Sequence, residues 1–229
     1  MAPPLDFYLD YISHNAYLAW TQVHGLATRY GREVRPVPVV FGVLLQRWGQ
    51  LGPAEVRPKA RWMVRDVARK ALRLGVPLSP PHSHPFNPLL ALRVTCQVEA
   101  PEALRRLVDE LFRATWVDGR DITKPEVVAA AASAASLDGA ALVAGATSPE
   151  TKERLRGITN DAADRGVFGV PTVIADGELF WGFDDFPNLD AFLRGEDPLA
   201  GYDWRAWQQV RPSVQRKRRD PGESARRSS

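Results

Sequence analysis

The chain has 229 residues, 45% of them apolar, enough to bury a sizeable core as one large domain or as a small domain carrying an insertion. Its single cysteine, Cys96, excludes an internal disulfide, and none of the four histidines stands at a metal-ligand spacing with it. The net charge of +3 comes from the end: residues 211–229 hold seven Lys/Arg against Asp220 and Glu223, which leaves 23 basic and 25 acidic residues in the body. A near-neutral body excludes nucleic acid as the main partner, because phosphate binding needs a basic face on the folded part. Met1 to Asp6 lack the basic flank and apolar core of a signal peptide, and no later apolar run reaches membrane-spanning length. The expectation is a soluble protein of a reducing, cytoplasmic compartment, without a metal.

Leu5, Phe7, Leu9 and Tyr11 alternate with more polar neighbours, the period of a strand that ends before Ser13-His14-Asn15. From Ala16 to about Tyr30 the apolar residues recur at helical spacing, and Gly31 stands where a helix stops. Residues 33–40 read as a second strand, which Pro36 and Pro38 confine to an edge. This opening is β-α-β, and a crossover of that length implies parallel strands. Residues 57–74, 101–116, 124–135, 137–144 and 149–165 then read as helices, the last with Ser148 as N-cap, Pro149 in its first turn and Gly166 as its stop. After Gly166 the period returns to that of a strand. Residues 172–175 and 178–181 flank Asp176-Gly177, the strongest short hairpin signal, and a last helix follows over 187–193.

The order is therefore β-α-β, a helical block, then β-β-α. It predicts an α/β domain made of residues 1–41 and 167–200, into which an all-helical domain of residues 42–166 is inserted. Residues 201–210 carry Trp204 and Trp207, which are expected to pack on the body or on a second subunit. Residues 211–229, rich in Arg, Ser, Pro and Gly, are expected to be a disordered basic tail.

With Val170-Pro171-Thr172 leading into the third strand, this order resembles a thioredoxin fold and its cis-proline loop. Where thiol-disulfide oxidoreductases of that fold carry Cys-x-x-Cys, this chain has Ser13-His14-Asn15-Ala16, so disulfide chemistry is excluded there. The whole pattern resembles the 2-hydroxychromene-2-carboxylate isomerases and the kappa-class glutathione transferases. The pieces that carry the resemblance are Phe7-Tyr8-Leu9-Asp10-Tyr11-Ile12-Ser13, Pro58-Lys59 with Trp62 and Asp66, His84-Pro85-Phe86-Asn87-Pro88, Gly166 to Thr172, and Phe180-Trp181-Gly182.

The resemblance implies glutathione as cofactor, held with its sulfur against the first helix. A helix N-terminus carries free N–H groups and a partial positive charge, so it stabilises a thiolate placed there. Ser13 would then donate a hydrogen bond to the sulfur, although an N-cap serine is the plain alternative. His14 stands where the family has proline, and as a first-turn residue it faces solvent or, in the functional reading, adds charge or touches substrate. Val170 and cis-Pro171 would offer an unpaired strand edge to the cysteinyl backbone of glutathione. Lys59, helped by Gln50, would take the glycyl carboxylate. At the γ-glutamyl end Asp184, after Phe183, would accept from the ammonium, and the last helix would receive the carboxylate, although Phe183-Asp184-Asp185 departs from the family pattern. The second substrate would meet Trp62, His84, Phe86, Asn87 and Trp181; as aromatics, Trp62, Phe86 and Trp181 are more often core.

The implied activity is reversible thiolate addition that isomerises 2-hydroxychromene-2-carboxylate and trans-o-hydroxybenzylidenepyruvate, or a related intermediate of aromatic breakdown. Kappa-type conjugation of glutathione to small electrophiles is the alternative, and a non-catalytic binding protein the second. The expected assembly is a homodimer.

Overall fold

The computed structural model describes residues 2–214, so most of the basic tail, from residue 215 on, lies outside the described residues. Four strands form one sheet: β1 (Leu5–Leu9), β2 (Val34–Pro38), β3 (Thr172–Ala175) and β4 (Glu178–Trp181), in the order β2-β1-β3-β4. β1 runs parallel to β2 and antiparallel to β3, and β3 pairs with β4 through the turn at Asp176 (φ 50°) and Gly177 (φ 94°). The prolines of β2 sit on the sheet edge, where a missing N–H leaves no ladder bond unmade.

Ten helices surround the sheet among the described residues. α1 (His14–Arg29) joins β1 to β2, and α2 (Phe41–Trp48), α3 (Arg57–Leu74), α4 (Leu89–Thr95), α5 (Pro101–Trp116), α6 (Pro125–Ala134), α7 (Gly139–Gly145) and α8 (Pro149–Asp164) lie between β2 and β3. α9 (Phe186–Leu193) follows a single 3-10 turn at Phe183–Asp185, and α10 (Arg205–Gln208) is one exposed turn. α2, α4 and α10 are additions to the helices expected from sequence. Among the described residues no helix is long and apolar enough to cross a membrane.

β1 is buried along both faces, so the polar positions of its alternation do not reach solvent. Leu5, Phe7 and Leu9 pack with Trp20 and Val23 of α1, Leu111 of α5 and Leu189 of α9. Tyr8 points the other way, into a smaller cluster with Leu44 of α2, Ala162 and Ala163 of α8, and Ile174. Asp6, on that second face, is held by Arg35 at 2.5 Å and Arg165 at 2.8 Å. Burying this carboxylate is tolerable only because both guanidinium groups pair with it.

Of the two surfaces expected for Trp204 and Trp207, the body is not the one they cover: they are 46% and 62% exposed. They contact Tyr202 instead, through a ring pair at 4.8 Å and a bond from Trp207 Nε1 to the Tyr202 hydroxyl at 2.7 Å.

Candidate functional site

The loop of residues 10–13 is fixed atom by atom before it enters α1. Asp10, 1% exposed, accepts from the N–H of Ile12 at 3.1 Å and from that of Phe41, the first residue of α2, at 2.9 Å. Burial pushes its carboxyl up to about 7, against the lowering effect of those two hydrogen bonds. The Tyr11 carbonyl accepts from Trp116 Nε1 at 2.9 Å, and the Tyr11 hydroxyl bonds to Thr95 at 2.7 Å. The Ile12 carbonyl meets His84 Nε2 at 3.1 Å, and since a carbonyl only accepts, that nitrogen carries the proton. Ser13 N–H closes the turn on the Asp10 carbonyl at 3.0 Å. Trp116, Thr95 and His84 all belong to the helical block, which thereby holds the turn ahead of α1.

Ser13 is the N-cap of α1: its Oγ accepts from the Ala16 N–H at 3.1 Å. Its hydroxyl proton faces the Val170 carbonyl at 3.4 Å, a long bond that joins residues 157 apart in sequence. The N–H groups of His14 and Asn15 have no acceptor among the described residues, and neither has the N–H of Val170. Three unmet donors and one hydroxyl thus surround the contact between Ser13 and Val170, with the positive end of a 16-residue helix behind them. The Val170–Pro171 and His84–Pro85 bonds are both cis. Trp181 lies on this loop, 5.2 Å from the Phe168 ring, and a Cβ at Gly169 would come within 2.6 Å of its Nε1, so the indole needs glycine there.

His14 is not solvent-facing: it is 8% exposed, stacked on His84 at 6.0 Å and set edge-on to Trp116 at 5.7 Å. Burial, helped by the nearby charges of His84 and Lys70, lowers its pKa to about 4, so it is neutral at physiological pH and adds no charge. Its Nδ1 has no partner among the described residues. Phe86 is half-buried beside His84, and Asn87 accepts from the Leu89 N–H at 3.0 Å, a local turn ahead of α4. Trp62 and Trp181 are exposed, at 58% and 53%, and are not core residues.

The acidic end of the site differs from expectation. Asp184 is bonded at 2.6 Å to Lys70, a buried lysine of α3 that also meets Asp66 at 2.8 Å. Nothing in the stretch around Lys70 separates it from a solvated helix lysine, because its main partner lies 114 residues away. Asp185 accepts from the Trp181 N–H at 3.2 Å and from Asn188 at 2.7 Å, which gives it a local structural task. Gln50 and Lys59 are exposed and touch none of these groups, and Lys59 has no carboxylate partner among the described residues. At 100° per residue, however, Lys59, Trp62, Asp66 and Lys70 fall within an arc of about 80° on one face of α3.

Residues 4–194 match the family of the DSBA-like thioredoxin domain. A 2-hydroxychromene-2-carboxylate isomerase of Sphingobium xenophagum is 32% identical over 201 residues, covering 84% of this chain and 99% of that protein. Glutathione S-transferase kappa 1 of Rattus norvegicus is 25% identical over 205 residues, covering 84% of this chain and 91% of that protein. A solved structure of a 2-hydroxychromene-2-carboxylate isomerase superposes with a TM-score of 0.75 at 26% identity, covering 83% of this chain and 94% of that one. The chain belongs to the DSBA-like thioredoxin domain family and, within it, to the enzymes of the 2-hydroxychromene-2-carboxylate isomerase family.

Proposed function

We propose that this protein is a glutathione-dependent isomerase of 2-hydroxychromene-2-carboxylate, trans-o-hydroxybenzylidenepyruvate or a related ring-opened aromatic acid. The observation that carries the reading is the meeting of Ser13, at the start of α1, with the Val170 backbone, amid N–H groups that have no partner among the described residues. These residues fit glutathione: an unpaired Val170 amide suits a cysteinyl backbone, and a capped but open helix terminus suits a thiolate. When bound, glutathione supplies a nucleophilic sulfur that adds reversibly to a conjugated carbon and so allows rotation about a former double bond.

The chain's own part is to bind and to ionise. Ser13 turns its hydroxyl proton from the Val170 carbonyl to the sulfur while its oxygen keeps the Ala16 bond, and the first-turn N–H groups of His14 and Asn15 favour the anion. Lys59, with Gln50, takes the glycyl carboxylate, and Asp184 the γ-glutamyl ammonium. Trp62, His14, His84, Phe86, Asn87 and Trp181 wall the cleft for the second substrate. The relatives named glutathione S-transferase kappa 1 favour a second reading, conjugation to a small electrophile at the same site. We place the enzyme in the cytoplasm as a homodimer, a reading supported by the single cysteine and by the exposed aromatic cluster at Tyr202, Trp204 and Trp207.

The test follows the ultraviolet absorbance of bound glutathione thiolate against pH in the parent and in Ser13→Ala. The expected result is a thiol pKa that rises in the variant toward the free value of about 8.5, with a loss of about 0.5–2 kcal/mol in stability from the missing cap. Coincident titration curves with only a lower melting temperature would reduce Ser13 to a cap. Product analysis, free glutathione and isomer against a stable conjugate, separates the two readings.

A further inference from the structure

The near-neutral charge of the body is unevenly spread. α3 carries seven basic residues against Asp66 alone, which leaves 16 basic and 24 acidic of the body's 23 and 25 for everything else in residues 1–210. Five of the seven recur at every fourth position: Arg57, Arg61, Arg65, Arg69 and Arg73. All five are exposed, and the ion pairs of α3 among the described residues are those of Lys70 with Asp66 and Asp184. The five guanidinium groups are therefore not neutralised by the described residues. Like charges four apart oppose a helix, and this row has four such pairs in succession. An anion outside the protein would relieve them.

The row also has a direction. With Arg65 at its centre, Arg61 and Arg69 lie about 40° to either side and Arg57 and Arg73 about 80°, over a length of about 24 Å. Leu72, 82% exposed, falls about 20° from the centre, and Trp62, 58% exposed, about 60°. The side chains that α3 buries, Val67, Lys70 and Ala71, lie about 120° or more away, so the row is turned outward from the body. α3 contains no Ser, Thr, Asn or Gln, the side chains with which a nucleic-acid surface grips sugars and reads bases. Between its arginines it offers an aliphatic chain and an indole instead. That combination on one exposed face fits the phosphates and first acyl carbons of a bilayer.

We propose that the outer face of α3 docks this protein on a membrane surface of anionic phospholipids. Arg61, Arg65 and Arg69 meet the headgroup phosphates, Leu72 enters between the first acyl carbons, and Arg57, Arg73 and Trp62 stand at the margins. The helix lies on the bilayer and does not cross it. Lys59, Asp66 and Lys70 lie about 100–140° round the helix from the centre of the row, so docking leaves that side uncovered.

The experiment is flotation of the intact protein with vesicles of phosphatidylcholine alone and of phosphatidylcholine mixed equally with phosphatidylserine. The parent is expected to float with the mixed vesicles and not with the neutral ones, and added salt releases it. Each arginine near an anionic surface strengthens partitioning about fivefold, so the triple variant Arg61→Gln, Arg65→Gln, Arg69→Gln should bind about a hundredfold more weakly with its melting temperature kept. A charge-matched control, Arg47→Gln, Arg154→Gln, Arg156→Gln, removes three exposed arginines of α2 and α8 and is expected to bind as the parent does. Leu72→Asn keeps every charge and should still weaken binding, because the acyl contact is lost. The proposal is overturned if the parent ignores the mixed vesicles, or if the triple variant floats as the parent does, which would hand the lipid to another basic stretch such as residues 216–219. It is overturned as well if a single-stranded oligonucleotide binds the parent more tightly than the vesicles and loses that affinity in the triple variant, since α3 would then be a nucleic-acid face.

Discussion

Replacing Asp10 by asparagine removes part of the protein's pH dependence. In the unfolded chain this carboxyl titrates near 3.9, and in the native protein it is pushed up to about 7 by burial. Between those values the native state holds one proton more than the unfolded state, so stability falls by about 1.4 kcal/mol for each pH unit gained. The stabilisation is complete below about pH 4 and gone once pH passes about 7, a total on the order of 4 kcal/mol. Asparagine does not titrate, but it keeps a single acceptor oxygen for two N–H donors, those of Ile12 and Phe41. Leaving one buried donor unmet costs about 1–3 kcal/mol at every pH. Asp10→Asn is therefore expected to be the weaker protein near pH 4.5 and to equal or exceed the parent near pH 8. Urea unfolding followed by tryptophan fluorescence, at half-unit steps of pH, measures this. The difference between the two proteins cancels every other titrating group, His14 and His24 included. A gap that stays constant across the range refutes the argument, because the carboxyl would then be ionised in both states.

Two further outcomes are expected. Trp116→Phe removes the donor to the buried Tyr11 carbonyl and should cost about 1–3 kcal/mol in urea unfolding; because that carbonyl lies in the turn ahead of Ser13, glutathione affinity measured by calorimetry should fall as well. Gly177→Ala forces a side chain into a backbone conformation with φ of 94° and should lower stability by about 1 kcal/mol or more in thermal melts, with glutathione affinity unchanged, since the hairpin tip lies at the far end of β3 and β4 from Val170.

The strands, the hairpin and the long helices were legible because each has a local signature. Ser148 and Pro149 mark a helix start whatever surrounds them, and Asp176-Gly177 marks a turn. α2 and α4 were not, because neither opens on a capping side chain, Val40 and Pro88 standing at their N-terminal caps, and each is too short for its period alone to mark it. At the site, Ser13 and Val170 were reached through the order of elements and the family motif, and the structure puts them in contact. His14, Asp10 and Lys70 were read wrongly or passed over for one physical reason: burial of a polar residue is decided by what comes from elsewhere in the chain. His14 is covered by His84 and Trp116, Asp10 by the start of α2, and Lys70 is bonded across 114 residues. Composition is blind to such pairings, and so is periodicity.

The bonds that run from Trp116 and His84 to the carbonyls of Tyr11 and Ile12 set terms for anyone who would graft this scaffold. A transplanted helical block that lacks an indole and an imidazole at those two heights would strand a pair of peptide oxygens beneath the first helix, and the chimaera would have to refill them with water. Libraries that aim to alter substrate choice are therefore better confined to outward-facing positions such as Trp62 and Trp181, where exchange disturbs no peptide oxygen of that turn.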